Sequence, residues 1–172
     1  MLIGHKIHHI SQTDSTMNYC KNLAKSGATH GTVVSADFQT EGRGRFQRKW
    51  ISSSSQNLLL SILLKPDIHQ INYLNMAASL SIYDVVSWAT NYSPSIKWPN
   101  DVMIEREGEK KIAGILAEYV KQENPVLVVG MGLNIEWPLQ EDPAPPNSIS
   151  LRACGIEKDR WEMLIEILKN FE

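Results

Sequence analysis

Four strand-like segments, SIKWP, DVMIE, KIAGILAEYV and PVLVVGMGLNI, follow one long helix with only short polar breaks between them. Breaks that short leave no room for crossover helices, so neighbouring strands fold back on one another. The helix is marked by Ile71, Leu74, Ala78, Ile82, Val85 and Ala89, apolar positions that step by three or four. Upstream, GTVVSADFQT and QNLLLSILLKP are rich in β-branched and apolar residues and read as two more strands. IGHKIHHI alternates Ile3, His5, Ile7 and His9, as a strand with one wet face does. TDSTMNYCKNLAKSG supplies Asp14 or Ser15 as a cap, Met17, Cys20, Leu23 and Ala24 as a stripe, and Gly27 as a stop. A last helix puts Trp161, Leu164, Ile165, Leu168 and Phe171 on one side, after a proline-rich loop, EWPLQEDPAPPNS. This order of elements gives the α+β class, a mixed, largely antiparallel sheet packed with helices, in one domain spanning residues 1–172.

Between the two upstream strands lies EGRGRFQRKW, which carries four cations in ten residues although the whole chain has a formal net charge of only -2. A pI near 6.2 argues against a protein that coats nucleic acid, since such domains are basic over a whole face. The charge is local, and so is its expected target. No window approaches the roughly 18 apolar residues of a membrane span, and the opening segment lacks the pattern of a signal peptide, so a cytoplasmic protein is expected, without membrane or DNA as partner. Cys20 and Cys154 are expected as thiols. His8 and His9 point to opposite faces of a strand and read as surface or pocket-edge residues, not as a metal pair.

Two glycines permit close backbone approach to a ligand, and arginine forks suit phosphate or carboxylate. The loop therefore reads as one that orders over an anion. In KWPND, Asn100 and Asp101 are open to two readings, an Asn-Asp turn or hard oxygen ligands for hydrated magnesium or sugar hydroxyls. KKIAGILAE sets Lys111 at the mouth of an apolar strand whose Gly114 leaves room against the sheet; the lysine is either solvated or a phosphate ligand. GMGLN repeats the device with Gly130 and Gly132, followed by Asn134, whose amide can read a base edge.

Taken together and in this order, DSTM, FQTEGRGRFQRKW, KWPND, KKIAGILAE and GMGLNI resemble the motifs of biotin protein ligases, from about residue 8 to about residue 137. The resemblance implies the class II aminoacyl-tRNA synthetase-like fold of the biotin and lipoate ligase catalytic domain. It also implies a two-step reaction. Biotin and ATP, with Mg2+, give biotinyl-5'-adenylate and pyrophosphate, and the biotinyl group passes to a lysine of a biotin carboxyl carrier protein domain, as in acetyl-CoA carboxylase or a related biotin-dependent enzyme. Carried over by position, Ser15, Thr16 and Gln39 match the biotin-ring contacts. Gly42, Arg43, Gly44 and Arg45 match the adenylate loop, with Arg43 near the carboxylate and phosphate and Arg45 retaining the intermediate. Arg48 and Lys49 match its ATP-facing end, and Trp50 the cover on biotin. Asn100 and Asp101 match positions around magnesium and ATP, with Asp101 the candidate to orient or deprotonate the acceptor lysine. Lys111 matches the lysine that neutralises the reacting anions, Gly114 lines the biotin tail and Asn134 matches the adenine contact.

The sequence also departs from relatives. It has no helix-turn-helix segment before the first strand and no small β-barrel after the last helix, so DNA-linked repression is not expected. Without such a barrel, Trp161, Leu164 and Leu168 are expected to be exposed and to favour a homodimer. Gln47 stands where a glycine is common. Lipoate protein ligases, which share the fold and the adenylation chemistry, are the closest rival enzyme, although their RRxxGGG pattern is lacking; a non-catalytic biotin-binding or regulatory relative, and nucleic-acid binding through the loop, are the other rivals.

Overall fold

The computed structural model describes residues 2–52, 55–121, 123, 125–137 and 145–172. Its elements are β1 (Lys6–Thr13), α1 (Thr16–Lys25), β2 (Thr32–Gln39), β3 (Leu58–Leu64), α2 (Ile71–Ala89), β4 (Ser95–Lys97), β5 (Asp101–Glu105), β6 (Glu109–Val120), β7 (Val126–Leu133) and α3 (Arg160–Phe171). They form a seven-stranded sheet in the order β1-β2-β3-β7-β6-β5-β4. Only β1 and β2, joined through α1, run parallel. The short connections make every other pair antiparallel, the mixed arrangement expected. Of the proline-rich stretch, residues 138–144 lie outside the described residues.

The two strands with near-continuous apolar runs, β3 and β7, sit at the centre because both of their faces are covered. Leu58, Leu60, Ile62 and Leu64 of β3, with Leu127, Val129, Met131 and Leu133 of β7, join the large core under α2 and α3. On the other face Leu63, Val126 and Val128 pack against Met17, Cys20 and Ala24 of α1. Ser15 caps α1, its Oγ accepting from the Met17 N–H. Helix α2 runs over the predicted span, and its predicted stripe faces the core.

Two apolar stripes differ from expectation. The alternation at the N-terminus does not bury Ile7, because β1 is an edge strand and starts only at Lys6; Ile3, just before it, is in the core. In α3 the face toward α2 takes Met163, Leu164, Ile167 and Leu168 and leaves Ile165 47% exposed. Leu164 and Leu168 are buried in this chain as it stands, against the exposure expected of them, so they offer no apolar face for self-association. Among the described residues no helix is long and apolar enough to cross a membrane.

Cys20 and Cys154 are free, and burial pushes the Cys20 thiol up to about 12. The unfolded thiol ionises near 8.5. The folded one does not, so this group's contribution to stability falls as pH rises past the unfolded value. Native protein at pH 8 should therefore leave Cys20 unalkylated by iodoacetamide, and the same residue should react fully in denaturant. Mass mapping that finds Cys20 modified in the native protein would show that α1 opens from the sheet.

Candidate active site

The face of the sheet toward α1 is filled at one end and hollow at the other. Along β7 the positions on this face read Val126, Val128, Gly130, Gly132. Register repeats the hollow across strands: Leu59 pairs with Gly132, Gly132 with Gly114, and Gly114 with Asp101, while Ser61 pairs with Gly130 and Gly130 with Leu116. Small residues at adjacent positions of three strands thus cut a trough into the sheet. It forms a cavity of about 240 Å³, roofed by the segment from Gln39 to Trp50 and closed at one end by Ser15, Thr16 and Met17.

The closed end is polar and uncharged. Thr16 donates to Gln39 Oε1 through both its backbone N–H, at 2.8 Å, and its hydroxyl, at 3.0 Å. The same hydroxyl lies 2.9 Å from Ser61 Oγ. With Gln39 Oε1 taken, the amide Nε2 is the half of that side chain left for a ligand. A neutral group with its own donors and acceptors suits this end, since a charge would be desolvated without a counter-charge.

The roof is a small hairpin. Trp50 N–H donates to the Gly42 carbonyl at 2.9 Å, Gly44 N–H to the Arg48 carbonyl at 2.7 Å, and Arg43 bridges Lys49. Its tip is a single 3-10 turn, Arg45–Gln47, in which Phe46 and Gln47 both have positive φ, 54° and 61°. The left-handed conformation explains why glycine suits position 47, and Gln47 is strained there. Gly42 cannot carry a side chain: a Cβ would stand 2.5 Å from the Trp50 carbonyl oxygen. The Trp50 indole lies on the glycine floor, where a Cβ on Gly114 would be 2.8 Å from Cζ3 and one on Gly132 2.5 Å from Cε2. Its Nε1 is buried and has no hydrogen-bond partner among the described residues.

At the open end Arg43, Arg45, Arg48, Lys49 and Lys111 face one carboxylate, Asp101. Lys111 Nζ lies 2.8 Å from Asp101 Oδ1 and 5.4 Å from the Trp50 ring centroid. Asn100 links this pair to the roof: its Nδ2 donates to Asp101 Oδ1 at 2.9 Å, and its Oδ1 accepts from Arg45 NH1 at 2.9 Å. Arg48 and Lys49 have no carboxylate partner among the described residues. So many cations around a partly enclosed cavity focus a positive potential that attracts a multiply charged anion. Among the described residues no group of three or more His, Cys, Asp and Glu could hold a metal by itself. The donors do fit a magnesium ion arriving with phosphates, because that ion takes one or two carboxylates and completes its shell from water and phosphate. Asp101 Oδ2 is without a partner among the described residues.

Ser15, Thr16, Gln39, Arg43, Gly44, Arg45, Arg48, Lys49, Trp50, Asn100, Asp101, Lys111 and Gly114 all line this cavity. Gly42 does not; it lets the roof close on Trp50. Asn134 is set apart from these. It is 3% exposed and outside the cavity lining, and its Nδ2 donates to the Lys111 and Ile149 carbonyls at 3.3 and 3.1 Å. These bonds make its Nδ2 a staple between β6 and the 148–151 segment, while its Oδ1 is buried without a partner among the described residues, so the acceptor half of the amide is what is left for a base. His9 is also remote, pairing with Asp37 at 3.2 Å and stacking edge-on with Trp161 at 4.7 Å. The sequence reading passed over Met17, Leu59, Leu116 and Ser61, of which the first three line the cavity. Counting alternate residues back from Gly130 and Gly132 would have marked the filled end of the same face.

Residues 9–136 match the model of the biotin/lipoate A/B protein ligase family. The chain is 33% identical to the bifunctional ligase/repressor BirA of Bacillus subtilis, over 98% of its own length and 53% of that protein. It is 34% identical to the biotin–[acetyl-CoA-carboxylase] ligase of Mycobacterium tuberculosis, over 95% of its length and 61% of that protein. It thus spans about half to three-fifths of the length of these relatives. Among solved structures, the biotin protein ligase of Aquifex aeolicus in complex with biotin and ATP superposes with a TM-score of 0.79 at 32% identity, covering 97% of this chain and 68% of that one.

Proposed function

Because the chain belongs to the biotin/lipoate A/B protein ligase family, we propose that it activates biotin with ATP and then delivers the biotinyl group to a lysine of a biotin carboxyl carrier domain. The observation that carries this reading is the order of chemistries along one cavity: neutral hydrogen-bonding groups, a glycine floor under an indole, then five cations beside one carboxylate. Biotin has the same order, a neutral ureido ring, an apolar tail and a carboxylate. Ser15, Thr16 and Gln39 receive the ring, Trp50, Gly114 and Gly132 enclose the tail, and Lys111 and Arg43 meet the carboxylate.

In the first step a carboxylate oxygen attacks the α-phosphorus, a P–O bond forms, and the bond to the β-phosphate breaks to release pyrophosphate. Two anions must approach, so Lys111, Arg43, Arg45 and Arg48 act by neutralising charge that grows more concentrated in the transition state. No enzyme nucleophile is needed. Magnesium, held by Asp101 and Asn100 with the nucleotide, would supply further charge neutralisation. The mixed anhydride is prone to hydrolysis, and the hairpin roof excludes water from it. In the second step the acceptor amine attacks the acyl carbon and AMP leaves; Asp101 Oδ2 is the oxygen available to orient that amine or accept its proton.

The direct test is pyrophosphate release on mixing the protein with biotin, ATP and magnesium. Biotin-dependent release is expected, and its absence from a protein that binds biotin would mark a non-catalytic relative. Arg45 tests the roof separately, since it ties the tip of the hairpin to Asn100. Arg45→Gly should change biotin affinity by no more than about twofold, a size expected for a side chain that bonds Asn100 and takes no part in the Thr16 and Gln39 end that receives the ring. The activated intermediate should leak, and bystander lysines on added albumin should become biotinylated. Equal losses of biotin affinity and of intermediate retention would argue against a lid.

A further inference from the structure

Arg43 stands between Gly42 and Gly44, whose backbone bonds hold the hairpin, and its guanidinium is held as well. Its NH2 group donates to Asn18 Oδ1 at 2.7 Å and lies 3.6 Å from Glu118 Oε2. Asn18 is itself oriented: its Nδ2 donates to Asp14 Oδ2 at 2.6 Å, which turns Oδ1 toward the arginine. The Asp14 carboxyl is held below its usual range, first by this Asn18 bond. Glu118 also pairs with Lys21 of α1. Glu118 is thus shared by two cations and, at 3.6 Å, does not cancel the charge of Arg43. Neither Asn18 nor Glu118 lines the cavity, whereas Arg43 does. Its Nε and NH1 have no partner among the described residues.

We propose that Asn18 and Glu118 are positioning residues for Arg43: they grip its NH2 group at the lip of the cavity and leave its other donors, and its net positive charge, for the reacting anions. The proposal rests on the reading that Arg43 serves biotin activation. A free arginine side chain loses rotamer freedom when it binds. Here that ordering precedes the ligand. A contact that organises the arginine equally before and during reaction changes binding and not the chemical step, so the effect belongs in KM.

The test is a double-mutant cycle read by biotin calorimetry without ATP and by the KM and kcat of pyrophosphate release. Asn18→Ala should raise the biotin Kd and KM about fivefold, the size expected for one hydrogen bond to a charged group, with kcat nearly unchanged. Glu118→Gln should raise them about twofold, as for a half-exposed ion pair. In an Arg43→Ala background both substitutions should have no further effect, and Lys21→Met should have none in either background. Losses that persist without Arg43, or that Lys21→Met reproduces, would show that these residues merely tie α1 to the sheet and would overturn the proposal. An Arg43→Ala protein with unchanged biotin affinity and unchanged pyrophosphate release would remove the premise instead, a separate outcome that also ends the proposal.

Discussion

Replacing Lys111 with alanine is expected to leave a folded protein that releases pyrophosphate about 10²–10³-fold more slowly, the loss typical of removing one group aimed at developing charge. The fold should survive because the backbone of Lys111 is tied without its side chain: its N–H donates to the Asn147 carbonyl at 2.8 Å, and its carbonyl accepts from the Ile149 N–H at 2.9 Å. Asp101 loses its ion pair but keeps the bond from Asn100, and at 26% side-chain exposure water reaches it. A half-exposed pair of this kind contributes about 1 kcal/mol or less to stability. Lys111→Met, which keeps most of the stem against Gly114, should be as inactive as the alanine variant, separating charge from packing. Melting temperature and single-turnover pyrophosphate release together decide the matter. Full activity in a stable Lys111→Ala protein would assign charge neutralisation to the arginines alone.

Much of this site was legible in the sequence because its residues stand in short motifs at strand ends. Local chemistry marked the roof arginines and Gly114 but left Lys111 and Asp101 open, and the order of the motifs taken together named them; in the structure register brings these positions together: Asp101 pairs with Gly114 and Gly114 with Gly132. Asn134 shows where local chemistry gives out. Its amide is as able to bond a base as a carbonyl, and only the arrival of the 148–151 segment beside β6 commits its Nδ2 to a carbonyl and leaves its Oδ1 buried without a partner among the described residues. Leu164, Leu168 and Ile165 show the same limit in the fold. Helical spacing defines a stripe, but which edge of the stripe meets α2 depends on how two helices cross. The contacts of Arg43 were also out of reach, since Asn18 and Glu118 lie 25 residues before and 75 after it in the chain, and although Glu118 closes KKIAGILAE nothing local links either of them to the loop.

Two neighbouring glycines of β7 should answer very differently to the same small change. Gly130 and Gly132 share a strand and a face, and neither has the positive φ that would make any side chain a strain. A Cβ at Gly130 would meet Cγ and Sδ of Met17 at 2.9 Å, the far end of an unbranched side chain that re-aims cheaply. A Cβ at Gly132 would meet the Trp50 indole, 2.5 Å from Cε2 and 3.0 Å from Nε1. A planar ring on a glycine floor has no short adjustment available, because sliding it away from Gly132 drives it onto Gly114 or lifts the roof. Gly130→Ala is therefore expected to bind biotin within about threefold of the parent, a cost below that of typical overpacking. Gly132→Ala should lose about 10–100-fold in biotin affinity, the equivalent of the roughly 1–3 kcal/mol that forced repacking costs. Both should keep the sheet, as alanine fits an extended backbone. Biotin calorimetry on the pair, with circular dichroism to confirm folding, makes the comparison. Equal affinities would mean that the indole leaves the floor when biotin enters, and that the trough is shaped by the ligand and not by Trp50.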